Sequence, residues 1–348
     1  MLREIAGRPI GQASPVFVIA EIGLNHGGSS ERALEMVDAA AAAGASAIKL
    51  QTIVADRLVA ASCPPPAHVD TPSLRAFFAR FELDLDAHRA VVARARRHRL
   101  AVLSTPFSEE AVAMLEALDL DAYKIASGDL TYHRLIAAAA NTGRPLIVST
   151  GMSTLAEVRG AVAVARGAGS AAHAVLHCVS AYPTPPGSQN LRAIATLADA
   201  LQVPVGLSDH GADTSSAAAA VALGACLYER HLVLDDDHGA IDRAVSSTAG
   251  ELRAAIAVME QTRIALGDGH KVCQPAERPN VRASRRGLYA RRPLRAGQRV
   301  GFEDLIALRP ATDLPPAALP ALVGSVIGRD VDAGEPVYAS DFAGERAS

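Results

Sequence analysis

The chain has 348 residues, of which 49% are hydrophobic and only 4% aromatic with no Trp, and it carries a formal net charge of -3. The apolar content is ample for a core, and the length exceeds the roughly 250 residues of a single (β/α)8 barrel, which predicts a second small domain. The scarcity of aromatic rings excludes a stacking platform for single-stranded nucleic acid, and the slightly acidic balance argues against a general polyanion binder. Four cysteines, Cys63, Cys178, Cys226 and Cys273, make no CxxC pair and read as reduced thiols. The opening MLREIAGRPIG lacks the apolar stretch of a signal peptide, and no run approaches the roughly 20 apolar residues of a membrane helix. The expectation is a soluble cytoplasmic protein with no membrane or nucleic-acid partner.

In chain order, eight short apolar runs recur over the first 231 residues, and nearly every one ends in a residue able to do chemistry. VFVIAE ends at Glu21, ASAIKLQ at Lys49 and Gln51, and LAVLST at Ser104 and Thr105. DAYKIAS carries Lys124 and Ser127, PLIVST ends at Ser149 and Thr150, and AVLHCVS carries His177 and Ser180. VPVGLSDH ends at Ser208, Asp209 and His210, and ACLYERH at Glu229 and His231. Runs that are apolar almost throughout suit parallel strands covered on both faces. Helix starts lie between them: Ser29 and Ser30 before ERALEMVDAAAAAG, Ser108 before EEAVAMLEAL, and Ser153 and Thr154 before LAEVRGAVAVARG. Eight strands separated by helices predict a (β/α)8 barrel over about 1–270, which gathers these scattered polar residues at the C-terminal mouth of the strands. A last helix fits GELRAAIAVMEQTRIALG, and the segment 53–84, with CPPP at 63–66, reads as an insertion that covers the mouth.

Beyond Gly267 the character changes. Residues 278–299 hold eight arginines and no acid, with 271–284 expected as a linker. LRAGQRVGFEDL at 294–305 and VDAGEPVYASDF at 331–342 share an apolar-x-Ala-Gly-x-x-Val-x-x-x-Asp-apolar pattern, 37 residues apart. Two such copies predict a small, pseudo-symmetric, mostly β module over 285–345, with RPATDLPPAALP between them as loop plus short helix.

His210 and His231 end consecutive predicted strands, so they become neighbours that either share a divalent metal or serve as hydrogen-bonded structural histidines. Asp209, Glu229 and the DDDH run at 235–238 are nearby, and the acidic run reads as a solvated loop. Lys49 and Lys124 sit in apolar sequence, where an unpaired ammonium is expensive. A buried ion pair with Glu21 or Asp129 would satisfy them. The hydroxyls at 104, 105, 127, 149 and 150 favour instead a clamp for a phosphate or carboxylate, and a Schiff-base lysine is the rival chemistry. Arg230 is the one arginine at a strand end, and alternation points it away from the side of His231. GLNHGG is a tight turn rather than a phosphate loop, and HExxH, GxSxG and zinc-finger spacings are absent.

The motifs AEIGLNHGG (20–28), KLQT (49–52), STPF (104–107), YKIASGD (123–129), STGM (149–152), LHCVSAYPTP (176–185), GLSDH (206–210) and ERHLVLD (229–235) together resemble the N-acetylneuraminate (sialic acid) synthases, in that family's order and over the whole barrel. RRGLYARRPLRAG with its DAGEPV echo resembles the antifreeze-like (SAF, β-clip) domain that follows the barrel there. The resemblance implies condensation of phosphoenolpyruvate with an open-chain N-acyl hexosamine, typically N-acetylmannosamine, with release of phosphate by C–O cleavage. It implies a divalent metal, Mn2+ or alternatively Mg2+ or Co2+, on His210 and His231. Lys49, Gln51, Thr105, Lys124, Ser127, Ser149 and Ser208 would form the phosphoenolpyruvate site. Glu21, Asp129, Tyr182 and Asp242 would face the sugar, with Glu21, Asp129 and Asp242 sharing the proton transfers. Arg286 would reach the N-acyl group from the partner subunit of a domain-swapped homodimer. The sequence departs from the family at Val179-Ser180-Ala181, at Asp129 in place of a common Glu, and in DDDHGAIDRAVS after His231. All three lie where the sugar is expected. They leave open a modified hexose of the legionaminic or pseudaminic type, with SGD at 127–129 closer to the neuraminate and legionaminate branches. A Schiff-base aldolase and a non-catalytic sugar-binding barrel are the rival classes.

Overall fold

The computed structural model describes residues 2–64, 71–170 and 173–342. Pro65 and Pro66 of the CPPP stretch and residues 343–345 of the expected terminal module lie outside the described residues. The chain falls into two compact units, divided between Asp268 and Gly269.

The first unit is a closed barrel of eight parallel strands: β1 Phe17–Glu21, β2 Ala47–Thr52, β3 Ala101–Pro106, β4 Ala122–Ile125, β5 Leu146–Ser149, β6 His173–His177, β7 Val205–Asp209 and β8 Leu227–Leu232. Each pairs with its neighbour in sequence, and β8 closes onto β1 in register, Leu227 opposite Phe17 through His231 opposite Glu21. The helices are α1 Ser30–Ala43, α2 Leu85–Arg97, α3 Glu109–Leu115, α4 His133–Asn141, α5 Leu155–Gly167, α6 Ala193–Leu201, α7 Ser216–Ala222 and α8 Ala249–Leu266. The predicted helix starts act as caps: Ser29 accepts from Arg32 N–H, Ser108 from Ala111 N–H, and Thr154 forms a reciprocal box with Glu157. Such a cap contributes about 1 kcal/mol by satisfying an orphaned helix donor.

Both faces of every strand are buried, for different reasons. Outward residues such as Val18, Ala20, Ile48, Leu50, Val102 and Ile125 join the main core against the helices. Inward residues at the lower end, Phe17, Ile19, Ala47, Leu103, Ile147, Leu176 and Leu227, fill the barrel. A short hairpin, Glu4–Ile5 against Arg8–Pro9, was not expected from the sequence; its Leu2, Ile5 and Ile10 seal that floor. A side chain of this size buried from water contributes about 1.5–3 kcal/mol. With the floor apolar, the polar inward positions all fall at the other end. The insertion contributes helical turns Ala55–Leu58 and Leu74–Ala79, and its Ala55, Phe77 and Phe81 pack with Leu24 and Ile53. No helix among the described residues is long and apolar enough to cross a membrane.

In the second unit, the stretch 271–284, expected as linker, carries helical turns Pro275–Glu277 and Arg278–Ser284. Beyond it, β9 Gly287–Ala290 pairs antiparallel with β10 Leu305–Leu308. The 37-residue repeat appears as reciprocal hydrogen bonding. Leu294 and Val331 exchange both backbone bonds; Gly297 N–H reaches Ile327 O while Gly334 N–H reaches Ala290 O; Val300 N–H reaches Ser325 O while Val337 N–H reaches Leu288 O. Each bond maps onto its mate by swapping the two copies, which is an internal pseudo-two-fold. The same operation relates Arg292–Asp304, at 2.5 Å, to Arg329–Asp341, at 2.6 Å. Of the eight arginines, Arg286, Arg291, Arg292, Arg295 and Arg299 hold partners inside this unit.

Candidate active site

The inward alternation of the strands dictates the site. Residues two apart share a face, so Ala47 on the floor leads to Lys49 and Gln51, Leu103 to Thr105, Ala122 to Lys124, Ile147 to Ser149, and Leu227 to Glu229 and His231. These side chains, with Glu21, Ser127, Ser180, Tyr182, Ser208 and His210, line one cleft of about 290 Å3 at the C-terminal ends of the strands.

Its floor is a cluster of four buried charges. Lys49 forms an ion pair with Glu21, donates to Thr105 Oγ1 at 2.9 Å, and lies 3.9 Å from Glu229. Lys124 lies 3.6 Å from Glu229 and donates to Ser149 Oγ at 2.5 Å. Glu229 also accepts from Ser208 Oγ at 2.7 Å. Burial opposes the charge of Lys49, but Glu21 and Glu229 outweigh it and its pKa lies above the ordinary value. At Lys124 burial outweighs the attraction of Glu229, and its pKa is lowered. Burial would raise Glu229, yet Lys124 and Lys49 together hold it down to about 2. Buried Oε1 of Glu21 and Oε2 of Glu229 have no hydrogen-bond partner. Unmade bonds on buried polar atoms cost about 1–3 kcal/mol each, so this cluster is organised for an occupant rather than for stability.

Above it stand the histidines, with ring centroids 5.7 Å apart. His210 Nδ1 faces the carbonyl of Val179 at 3.0 Å, which directs Nε2 toward the Tyr182 hydroxyl at 3.2 Å. Burial, then the neighbouring His231, lowers the His210 pKa to about 4, so the imidazole is neutral. Tyr182 stacks on His210 at 4.2 Å. His231 Nδ1 lies 3.4 Å from Asp242. Asp242 is held by its backbone N–H donating to Asn25 Oδ1 at 2.9 Å, and Asn25 in turn donates to Leu232 O and Ser246 Oγ. This is the structural use of the GLNHGG turn. A side-chain carbon at Gly23 would come within 3.0 Å of His231 Nδ1 and 3.2 Å of Asp242, so the turn must carry glycine there. Two imidazoles, one with its pKa lowered by burial, line the same cleft as buried carboxylate oxygens without partners. This donor set fits a divalent ion that keeps open positions for substrate. No cluster of three or more His, Cys, Asp or Glu suited to a metal occurs among the described residues.

Of the residues singled out from sequence, Glu21, Lys49, Gln51, Thr105, Lys124, Ser127, Ser149, Tyr182, Ser208, His210 and His231 line the cleft. Asp129 ends the turn Ser127–Asp129, whose Ser127 and Gly128 line the cleft; burial raises its carboxyl to about 6, and Oδ2 has no hydrogen-bond partner. Asp242 reaches the site through His231. Arg286, in the second unit, donates to Ala307 O at 3.0 Å. The ion pair expected for a lysine is present at Lys49, with Glu21, whereas Lys124 turns to Glu229 rather than Asp129. Glu229 was seen in the sequence only as a neighbour; its spacing of two from His231 on one strand was the feature that places it in the mouth. Phe107 and Met152 also line the cleft and carry no such mark.

The model of the NeuB family matches residues 36–271, and that of the SAF domain matches residues 285–343. An N,N'-diacetyllegionaminic acid synthase of Legionella pneumophila is 34% identical over 95% of this chain and 96% of its own length. A pseudaminic acid synthase of Campylobacter jejuni is 32% identical over 94% of this chain and 96% of its own. The crystal structure of an N-acetylneuraminic acid (sialic acid) synthetase from Leptospira borgpetersenii superposes with a TM-score of 0.73 at 32% identity, covering 80% of this chain and 94% of that one.

Proposed function

The chain belongs to the NeuB family of sialic acid synthase-type condensing enzymes, and on that premise we propose that it joins phosphoenolpyruvate to an open-chain N-acyl hexosamine such as N-acetylmannosamine, releasing phosphate. One observation carries the reading: a single cleft presents two buried lysines, two carboxylates, the hydroxyls of Thr105, Ser127, Ser149, Ser180 and Ser208, and two imidazoles. A phosphate ester with a carboxylate needs such a set of cations and hydroxyl donors.

Lys49 and Lys124, with Gln51, Thr105, Ser127, Ser149 and Ser208, bind and orient the two anionic groups of phosphoenolpyruvate. C3 then forms a bond to the aldehyde carbon of the acceptor, water adds to C2, and the C–O bond to phosphate breaks. His210 and His231 would hold a divalent ion, Mn2+ or a similar one, which when bound polarises the acceptor oxygen as a Lewis acid. Glu21 sits against Lys49 and takes or returns a proton as water adds to C2, while Asp242 and Asp129 hold the sugar side. Tyr182, stacked on His210 and half-exposed, flanks the acceptor. The clamp assignment for Lys124 replaces a Schiff base, although its lowered pKa is also what an amine nucleophile requires.

The test is phosphate release from phosphoenolpyruvate in the presence of N-acetylmannosamine, its 6-phosphate, or a 6-deoxy-diacetamido hexose. Release with one of them, and none without an acceptor, is expected. The identity to a diacetyllegionaminic acid synthase favours the diacetamido sugar as a second reading, and the same panel separates the two. A pyruvate adduct trapped on Lys124 by borohydride, with no phosphate released from any acceptor, would replace the synthase with an aldolase.

A further inference from the structure

Arg230 and Asp209 take no part in this chemistry, yet they are only 1% and 3% exposed. They lie opposite one another on β8 and β7. Alternation sends Ser208, His210, Glu229 and His231 into the mouth, so Asp209 and Arg230 point behind it. There Arg230 Nη1 donates to the carbonyls of Asp209, at 3.3 Å, and Gly211, at 2.8 Å, and Nε donates to Ser247 Oγ at 3.1 Å. Asp209 Oδ1 accepts the N–H of Gly211 at 2.8 Å and lies 3.6 Å from Arg230. Its Oδ2 accepts from Ser216 Oγ at 2.6 Å and from the Tyr228 hydroxyl at 2.7 Å. The backbone on both sides of His210 is therefore gripped from behind, by a guanidinium on its carbonyls and a carboxylate on its following N–H. Ser247 stands opposite Leu232, the residue after His231, so the same guanidinium also ties the end of β8.

A buried ion pair is weak evidence for stability, because desolvation offsets its attraction. What this pair does uniquely is geometric: one planar fork spans three acceptors around the two histidine-bearing strand ends.

We propose that Arg230, backed by Asp209, is a positioning residue that sets His210 relative to His231 for metal binding. The inference rests on the reading of those histidines as the metal ligands. Its test is Mn2+ affinity of the full-length protein, read from the paramagnetic resonance of free ion without turnover, alongside phosphoenolpyruvate binding measured without metal. Arg230→Lys keeps the charge but cannot span three acceptors. It is expected to weaken Mn2+ binding by about 10- to 100-fold, the range for residues that orient metal ligands, and to leave phosphoenolpyruvate affinity unchanged. Tyr228→Phe, which deletes one hydroxyl from Asp209, is expected to shift it in the same direction by less. No Mn2+ binding by the wild type would overturn the two-histidine reading itself, and this inference with it. Wild-type Mn2+ affinity in the variants, or an equal loss of phosphoenolpyruvate affinity, would overturn the positioning role and leave the metal site standing. If Arg230→Lys does not fold, Tyr228→Phe decides alone, and an unchanged Mn2+ affinity there overturns the proposal.

Discussion

The barrel mouth and the terminal unit both contain ion pairs with a buried carboxylate, and they treat it in opposite ways. In the terminal unit, Asp304 and Asp341 are each satisfied twice, by an arginine and by a backbone N–H three residues earlier, from Gly301 and Tyr338. The internal two-fold repeats the arrangement, and the arginines keep solvent contact. In the mouth, four charges share one buried cluster and leave carboxylate oxygens without hydrogen-bond partners. The first pattern is what a small module uses to hold its turns. The second costs stability and is retained where a ligand completes it.

The largest expected break in this comparison is at the histidines. His210→Ala should lower turnover by about 100-fold or more, since a Lewis acid contributes several kcal/mol and each tenfold in rate is about 1.4 kcal/mol. Chelation should inactivate the wild type and added Mn2+ should restore it; full activity in excess EDTA would contradict the assignment. No substitution of a terminal-unit Arg–Asp pair should change the metal requirement.

Next come the ion pairs themselves. Lys124→Met leaves Glu229 deprived of one buried partner and should cost about 3–5 kcal/mol in urea unfolding. The apparent KM for phosphoenolpyruvate should rise far more than that for the sugar. Arg292→Met, with its side chain 67% exposed, should cost only about 0.2–1 kcal/mol. Equal costs at the two positions would erase the distinction drawn here.

The pH dependence should carry opposite signs in the two regions. Burial raises Asp129 to about 6 from 3.8, so the folded chain keeps a proton that the unfolded chain releases. Its contribution is full below about pH 4 and is lost as pH rises to about 6. Asp304 is lowered, first by the Gly301 N–H and then by Arg292, so its contribution is present above about pH 4 and disappears as acid protonates the folded carboxylate. Unfolding of Asp129→Asn should be flatter than wild type between pH 4 and 6, and Asp304→Asn should be flatter only in the acid limb.

The smallest effect tests the two-fold. Gly297 and Gly334 occupy mated positions, both at φ +85° with open space around them. Alanine at either should cost about 1–2 kcal/mol for the left-handed backbone. Unequal thermal destabilisation by the two substitutions would show that the halves are not energetically equivalent.

Strand order and most of the cleft's polar lining were legible in the sequence because a barrel strand is short and buried on both faces, so its polar residues stand out against apolar neighbours. That holds for Lys49, Lys124, Ser149, His210 and His231. The cap residues were legible because capping is local. Asp129 was marked by its motif, and the structure shows its turn meeting the cleft through Ser127 and Gly128. The repeat at 294–305 and 331–342 was visible, whereas the arginines at 292 and 329 that complete it lie outside the matched window. By itself the sequence determined the alternation of strands and helices, the positions of the caps, and the residue types offered to the mouth, since each depends on neighbours a few residues apart. Only the tertiary structure decided that Glu229 joins two lysines, that Asn25 carries Asp242 to His231, and that Arg230 grips the carbonyls on either side of His210. Those contacts span from about 20 to over 200 residues of chain, and they exist because closing the barrel brings β8 against β1 and β7.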